Sequence, residues 1–258
     1  MEGWADAAGV ATAAAGHIAR DAETLAVFDT DTLIDFRARR PGLDIADGSL
    51  NDMVWNEITV ARVQAGARDV LILIGPEPDF RWRAFASDVL DLALRAGITQ
   101  LVSLGAIPFA IPHTIPTPVM MTATPRELLP DDEPRPEGTL RVPAAALNAV
   151  ELAVTEHGIP AVGFWAQTPH YLTSFTQGAL ALVQRLGRHL GVMFETSSLV
   201  EGAARELRRL SSIVDERPEV RDYVAGLEEV SPAAEEIPSG DEIAGEIERY
   251  LRGRGPAE

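Results

Sequence analysis

The 258-residue sequence contains no cysteine and no lysine, so all 22 of its basic residues are arginine. The absence of cysteine excludes disulfide bonds, thiolate nucleophiles and cysteine-bound zinc. The absence of lysine excludes Schiff-base chemistry and the lysine of a Walker-type phosphate loop. The formal net charge of −17 argues against nucleic acid or an anionic membrane as a partner, because contacts to phosphate need a positive surface.

The sequence also lacks any long apolar run, and its start shows no basic stretch followed by an apolar core. A membrane-spanning helix needs about 20 consecutive apolar residues, so we expect no span. The missing signal pattern leads us to expect a cytoplasmic protein. Hydrophobic residues make up 46% of the chain, which is typical of a soluble globular domain.

Short apolar runs alternate with stretches of helical periodicity along the first three quarters of the chain. The runs at Val70–Ile74, Leu101–Leu104 and Pro160–Phe164 do not alternate with polar residues, which is typical of strands in a parallel sheet covered on both faces. We therefore predict an α/β fold, a three-layer α/β/α sandwich with a mostly parallel sheet, over residues 1–196. Helical stripes beyond it predict a C-terminal helical appendage with an acidic linker over residues 197–258.

Each of the three apolar runs leads into a loop with side chains that can bind or react. Loops that follow the carboxyl ends of strands in an open parallel sheet gather at one edge, where ligands bind. We therefore expect one shared surface there and assign no catalytic residue. The candidate ligand or interface residues are Glu77, Arg81, Trp82, His113, Thr114, Trp165, His170 and Tyr171, together with Trp4 near the N-terminus.

Each type of candidate also has a structural interpretation. A buried tryptophan removes on the order of 200 Å² from water, so Trp82 and Trp165 can pack on the core, line a pocket or meet another subunit. His113 and His170 lie in proline-flanked loops and can act as a base or ligand, or hold the loop by a hydrogen bond. Glu77 stands between two prolines and can act as a base, bind a hydroxyl pair or accept hydrogen bonds from loop amides.

An acidic group at Asp29, Asp31 and Asp35 has only a loose likeness to a metal site. It lacks the glycine and the terminal glutamate of a calcium-binding loop. No glycine-rich dinucleotide motif and no nucleophile-elbow motif is present either. We therefore expect no metal and no cofactor.

Several motifs at these loops occur in the order found in one known family. The sequence resembles the PAC-two family, named for a proteasome assembly chaperone, over about residues 2 to 190, in the form typical of actinobacterial members. The matching motifs are Glu2-Gly3-Trp4, Asp29-Thr30-Asp31, Gly75-Pro76-Glu77-Pro78 with Trp82, Pro112-His113-Thr114, and Trp165 with Pro169-His170-Tyr171.

The resemblance implies an α/β/α sandwich with a phosphorylase- or hydrolase-like topology, assembled as a homo-oligomer, with a trimer favoured. Eukaryotic and archaeal relatives assist assembly of the proteasome α-ring. The leading hypothesis is thus a non-enzymatic assembly or interaction protein with protein partners, proteasome subunits among them. One alternative is a small-molecule hydrolase, nucleoside-phosphorylase-like enzyme or sensor that uses Glu77 with His113 or His170. Another is that the helical tail carries the partner contacts.

The sequence departs from the family pattern at three places. Ile115 stands where many members carry arginine, and residues 138–141 replace a Gly-Pro-rich loop. Eight residues follow Tyr250, whereas archaeal relatives dock through a tyrosine next to their terminus. Members also begin with an apolar strand before the Glu-Gly-Trp motif, so we expect that the start has been assigned too far downstream.

Overall fold

The computed structural model of the protein describes residues 5–133, 139 and 141–230. Short 3-10 turns at Ala7–Gly9, Thr30–Thr32 and Arg126–Leu128 accompany the regular elements. The α-helices are α1 (Val10–Ile18), α2 (Trp82–Arg95), α3 (Ala146–Glu156), α4 (Thr176–Leu190), α5 (Ser197–Glu216) and α6 (Pro218–Val230). The strands are β1 (Glu23–Val27), β2 (Gly42–Ala46), β3 (Ser49–Val54), β4 (Thr59–Ala65), β5 (Arg68–Ile74), β6 (Leu101–Phe109), β7 (Val119–Thr124) and β8 (Ala161–Pro169).

The described strands form three sheets. One has the order β1-β4-β5, one is the hairpin β2-β3, and one has the order β6-β8-β7. Only β6 and β8 pair in parallel among these strands. The α/β class is confirmed, but the expectation of a mostly parallel sheet is corrected. β4 and β5 are joined by a tight turn at Gly66 (φ 62°), and so short a connection joins only antiparallel neighbours.

Helices cover both faces of β8 because alternate residues of a strand point to opposite sides. Val162, Phe164 and Ala166 pack with α1 and α4 in one hydrophobic cluster. Ala161 and Trp165 pack with α2 and α3 in the other. The two clusters together form the core, and β8 contributes side chains to both of them.

A cavity of about 730 Å³ separates β5 from β6. Residues 70–73 of β5 and 101–104 of β6 line it, with helices α1, α2, α3 and α4 around them. For this reason β5 is only half-buried, although its apolar run predicts full burial. Beyond the cavity, the Ala106 N–H donates to the Ala5 carbonyl at 2.8 Å. The strand expected ahead of the Glu-Gly-Trp motif would precede the described residues, so the expected upstream start stays a prediction.

Several local predictions change in the structure. β6 continues through Pro108, and β8 continues to Pro169, so Trp165 lies in the middle of a strand instead of in a loop. Prolines are tolerated here because they fall at the strand ends. The residue pattern from Val54 to Val63 predicts one strand, but the structure divides these residues between β3 and β4.

The C-terminal helices pack on the domain. Leu199 of α5 belongs to the same hydrophobic cluster as α1 and α4, and the Thr176 N–H donates to the Glu206 carboxylate at 2.6 Å. The boundary predicted after residue 196 stays a prediction, and the predicted linker Pro232–Gly240 lies outside the described residues. Within the described ranges, no helix combines the length and apolarity that crossing a membrane requires.

Candidate functional site

The loop between β5 and α2 has a tightly fixed backbone. Gly75 adopts φ 151°, and a Cβ there would lie 2.5 Å from the Glu57 carbonyl oxygen, so only glycine fits. Asp79 then ties the loop to a neighbouring segment, because its N–H donates to the Leu33 carbonyl at 2.8 Å and its carboxylate accepts from the Asp35 N–H at 2.8 Å. The loop therefore presents Glu77 in one defined position.

Glu77 is buried, with 8% of its surface exposed, and its carboxylate accepts a hydrogen bond from the Ala146 N–H at 2.7 Å. Ala146 is the first residue of α3, where backbone N–H groups lack partners within the helix. Burial raises the pKa of Glu77, although the bond from Ala146 and the Arg39 guanidinium oppose the rise. Arg39 also donates to the Glu77 carbonyl oxygen. These contacts favour the structural interpretation of Glu77, in which its carboxylate accepts a hydrogen bond from a backbone N–H at the start of α3.

The candidate tryptophans Trp82 and Trp165 both pack on the core beside α2 and α3. The Trp82 indole N–H donates to the Pro78 carbonyl at 2.6 Å. The Trp165 indole N–H donates to Thr122 Oγ1 at 2.9 Å, and its ring lies over Gly105, where an added Cβ would be 2.3 Å from ring carbons. Trp4 lies outside the described residues.

His113 and Tyr171 form the buried part of a second group of candidates. His113 is 2% exposed, its N–H donates to the Tyr171 hydroxyl at 2.9 Å, and its Nδ1 lies 2.8 Å from the same oxygen. The tautomer of the imidazole decides which of the two atoms donates in the second contact. His113 Nε2 has no hydrogen-bond partner among the described residues. Burial raises the pKa of Tyr171 to about 12, so the phenol stays protonated.

Helix α6 contacts this group through two polar side chains. His170 Nδ1 lies 3.0 Å from the Phe109 carbonyl, which can only accept, so Nε2 accepts from the Tyr223 hydroxyl at 2.7 Å. Thr114 donates to the Glu228 carboxylate. We call His113, Thr114, His170, Tyr171 and Tyr223 the histidine–tyrosine cluster.

Sequence reasoning missed Tyr223 and Glu228. Tyr223 is the only aromatic residue of α6. It directly precedes Val224, which forms a helical stripe of apolar residues with Val220 and Leu227. A tyrosine beside such a stripe has an apolar ring to pack and a hydroxyl that needs a partner. That pattern was the signal available in the sequence, but it does not identify His170 as the partner.

The structure divides the sequence-derived candidates into two groups. Glu77 and Trp82 belong to the layer of α2 and α3, while the histidine–tyrosine cluster lies at the ends of β6 and β8 under α6. Trp165 packs between them, since it touches both the α2–α3 core and a small apolar cluster around Phe109. In the part of the chain that the structure describes, no hydrogen bond joins Glu77 to either loop histidine. Arg81, in a left-handed conformation (φ 58°) at the start of α2, is exposed.

Metal binding finds no support in the described ranges. They contain no group of three or more histidine, aspartate or glutamate side chains arranged to hold a metal ion. The His113 and His170 rings instead make edge-on contacts with Tyr171 at centroid distances of 6.1 and 5.6 Å. The histidine–tyrosine cluster is therefore a packed, hydrogen-bonded unit.

We expect His113 to make the stability of the protein depend on pH. Burial lowers the pKa of His113 below its usual value of 6.5, although Glu228 opposes the shift. Below about pH 6.5 the unfolded chain gains a proton that native His113 does not, so the free energy of unfolding should fall as the pH falls. His113→Asn should flatten this dependence in urea titrations, because asparagine does not take up a proton in this pH range. Asparagine also keeps an acceptor for the Tyr171 hydroxyl.

His157→Asn, at an exposed position in the turn after α3, is the matched control and should leave the dependence unchanged. Burial also lowers the pKa of His189, so the stability of the protein should keep some pH dependence without His113. The pH dependence of each variant is therefore compared with that of the wild type. An unaltered pH dependence in His113→Asn would contradict the prediction.

We expect Tyr223→Phe to loosen α6 without unfolding the domain. The variant removes the hydroxyl that donates to His170 Nε2 but keeps the ring, so it should cost about 1 kcal/mol. Hydrogen exchange of the α6 amides should accelerate accordingly, while that of β8 should not change. Glu229→Gln on the exposed side of α6 is the control. Equal exchange in both variants would show that the Tyr223 hydroxyl does not hold α6.

These observations define a mixed α/β protein with helices on both faces of its β6–β8 pair and a hydrogen-bonded cluster at the strand ends. Residues 1–214, which include all of the cluster except Tyr223, match the sequence profile of the PAC2 family. The chain belongs to the PAC2 family, as the order of its motifs predicted. No curated protein matches the sequence at a significant level.

Three solved structures show the same relationship. A Mycobacterium tuberculosis protein of unknown function is 30% identical, with a TM-score of 0.86 and coverage of 98% of this chain and 88% of that one. A PAC2 family protein from Streptomyces avermitilis is 31% identical, with a TM-score of 0.76 and coverage of 87% and 97%. A Mycobacterium tuberculosis proteasome-assembly chaperone homologue is 29% identical, with a TM-score of 0.76 and the same coverage.

Proposed function

We propose that the protein is a non-enzymatic, cytoplasmic assembly or interaction protein that works as a homo-oligomer on protein partners, proteasome α-subunits first among them. The observation that carries this proposal is that the candidate groups are hydrogen-bonded within the fold. Glu77 accepts a bond from the start of α3, and the members of the histidine–tyrosine cluster bond to one another, with Tyr223 of α6 among them. The 29% identity to a proteasome-assembly chaperone homologue over 87% of the chain supports the choice of partner.

The same evidence supports a finer architecture. We infer that the helices on both faces of β8 form the outer layers of a three-layer sandwich with a phosphorylase- or hydrolase-like topology. Such a scaffold offers broad surfaces at the strand ends, where Arg81, Thr114 and His170 are exposed.

The experiment is reconstitution with purified proteasome α-subunits from the same source. The protein should co-elute with the α-subunits in size-exclusion chromatography and should shorten the time in which α-rings appear on native gels. No co-elution, together with an unchanged time course at excess protein, would overturn the proposal.

Arg81→Glu and Arg95→Glu form a matched pair for this experiment. The two arginines stand at opposite ends of α2, and both are exposed. If the candidate surface meets the partner, Arg81→Glu should weaken α-subunit binding at least about tenfold, since it reverses a charge there. Arg95→Glu should bind like the wild type. Equal losses would place the contact elsewhere.

The alternative of a small-molecule enzyme needs Glu77 and a loop histidine around one ligand. The described contacts assign Glu77 and the histidines to different neighbours, so the geometry favours the interaction protein. Hydrolysis of a nucleoside or amide that is lost in Glu77→Gln, with the fold intact, would replace the proposal. Partner binding that survives all candidate-site changes but disappears without residues 200–258 would favour the helical-tail alternative.

A further inference from the structure

The hairpin of β2 and β3 stands apart from the core. Its strands are joined at Asp47–Gly48, where φ values of 49° and 80° are typical of the tight turn that two-residue hairpins prefer. Every residue from 42 to 55 is exposed. No hydrophobic core cluster of the described residues includes a hairpin side chain.

One face of this hairpin is apolar and the other is acidic. Leu43 lies opposite Met53, and Ile45 lies opposite Leu50, whereas Asp44 lies opposite Asp52. Since directly opposite residues share a face and alternate residues change face, the four apolar side chains lie together. We call Leu43, Ile45, Leu50 and Met53 the apolar face; they are 49%, 62%, 74% and 42% exposed.

Such a hairpin is not expected to hold its shape on its own. A free two-stranded hairpin is marginally stable in water, and the like charges of Asp44 and Asp52 on opposite strands oppose the pairing. The alternation of apolar and acidic side chains is the pattern of a strand with one face buried. The apolar face therefore requires a cover that is present whenever the protein is folded.

We propose that the apolar face of the β2–β3 hairpin packs against a second copy of this chain. A homo-oligomeric partner is available at all times, which suits an element that needs permanent cover. The four side chains of the apolar face offer on the order of 450 Å² if a fully exposed large apolar residue presents about 200 Å². A standard interface takes about 800 Å² from each partner, so the hairpin supplies about half of one side.

Charge excludes two other kinds of occupant. The apolar face carries no ionisable group, so a second copy can bury it without leaving a charge unpaired. The hairpin itself has aspartates at positions 44, 47 and 52 and no arginine from residue 42 to 55. These acids exclude nucleic acid and anionic membranes as the cover, because both would be repelled.

The test is sedimentation of the full chain with a matched pair of variants. Ile45→Glu puts a charge on the apolar face, and Ala46→Glu puts the same charge on the other face one residue away. The wild type should be oligomeric, Ile45→Glu should raise the dissociation constant about 100-fold, and Ala46→Glu should sediment like the wild type. Circular dichroism should be unchanged throughout, because both positions lie outside the core.

Hydrogen exchange of the β2 and β3 amides gives a second readout. They should be protected in the wild type and in Ala46→Glu but exchange rapidly in Ile45→Glu. A wild-type monomer with a protected hairpin would overturn the inference, because residues of the same chain would then be the cover. A wild-type monomer with an unprotected hairpin would also overturn it.

The inference rests on the homo-oligomer in the proposed function, and the measurements separate the two. An oligomer that both variants leave intact would show that another surface holds the copies together, which overturns the hairpin contact alone. A monomer that still binds proteasome α-subunits would overturn the hairpin contact and leave the partner assignment standing.

Discussion

Phe164→Ala should lower the free energy of unfolding by about 3–5 kcal/mol, which is typical of removing a fully buried aromatic ring. Phe164 is 0% exposed in the middle of β8. Its ring meets the His189 ring at a centroid distance of 5.3 Å, and the Arg185 guanidinium lies 5.3 Å from its centre. Alanine would leave a cavity among α1, α4 and β8. Urea denaturation with an unchanged slope would measure the loss.

Leu152→Ala is the control for this experiment. Leu152 lies on α3 and is 61% exposed, so the same kind of truncation should change stability by less than about 0.5 kcal/mol. If Phe164→Ala lowered the free energy of unfolding by less than about 1 kcal/mol, the packing of β8 against α1 and α4 would not be central to the core.

Gly105→Ala should cost about 2–4 kcal/mol, because the new methyl group overlaps the aromatic ring of Trp165. The Cβ would lie 2.3 Å from carbons of the Trp165 ring and 3.1 Å from the Ala5 carbonyl oxygen. Displacing the ring would break its bond to Thr122 and disturb its packing on the α2–α3 core. Urea denaturation measures the cost, and a change in tryptophan emission should accompany it.

Gly16→Ala is the matched control within α1. An added Cβ there meets only Ile74 Cδ1, at 3.9 Å, and alanine is favoured over glycine inside a helix. The variant should gain about 0.5–1 kcal/mol. Similar stability changes in both glycine variants would contradict the close contact between Gly105 and Trp165.

Trp165 shows how the candidate site depends on the core. Its ring is held by Gly105 and Thr122 on one side of the sheet and touches the apolar cluster around Phe109. Phe109 in turn accepts the bond from His170 that orients the imidazole toward Tyr223. A change at Gly105 should therefore also reach the histidine–tyrosine cluster, through packed neighbours and not through a bound ligand.

Local patterns were sufficient to predict most helices and the position of several strands. Helical periodicity predicts one helix from Gln177 to Leu190, which agrees closely with α4, and another from Phe80 to Ala96, which agrees closely with α2. An amphipathic helix has its apolar stripe and its terminal glycine within one short segment, so its limits can be found there. The ordered motifs likewise led to the PAC2 family, which the match over residues 1–214 confirms.

Partners far apart in the chain could not be predicted in this way. Glu77 bonds to Ala146 and His113 bonds to Tyr171, and no local pattern at either position names the other. The same limit explains why β4 and β5 were not recognised as an antiparallel pair: an apolar run shows that a strand is covered but gives no information on its direction.

By itself, the sequence determined the chemistry that is possible and the family. It excludes cysteine and lysine chemistry, makes the surface acidic, and places the helices and the conspicuous loop residues. Only the tertiary structure decided which of those residues meet, because strand direction, helix docking and the position of α6 over His113 and His170 depend on contacts between distant segments. Those contacts form only when the chain is packed, and no local pattern in the sequence relates the residues that make them.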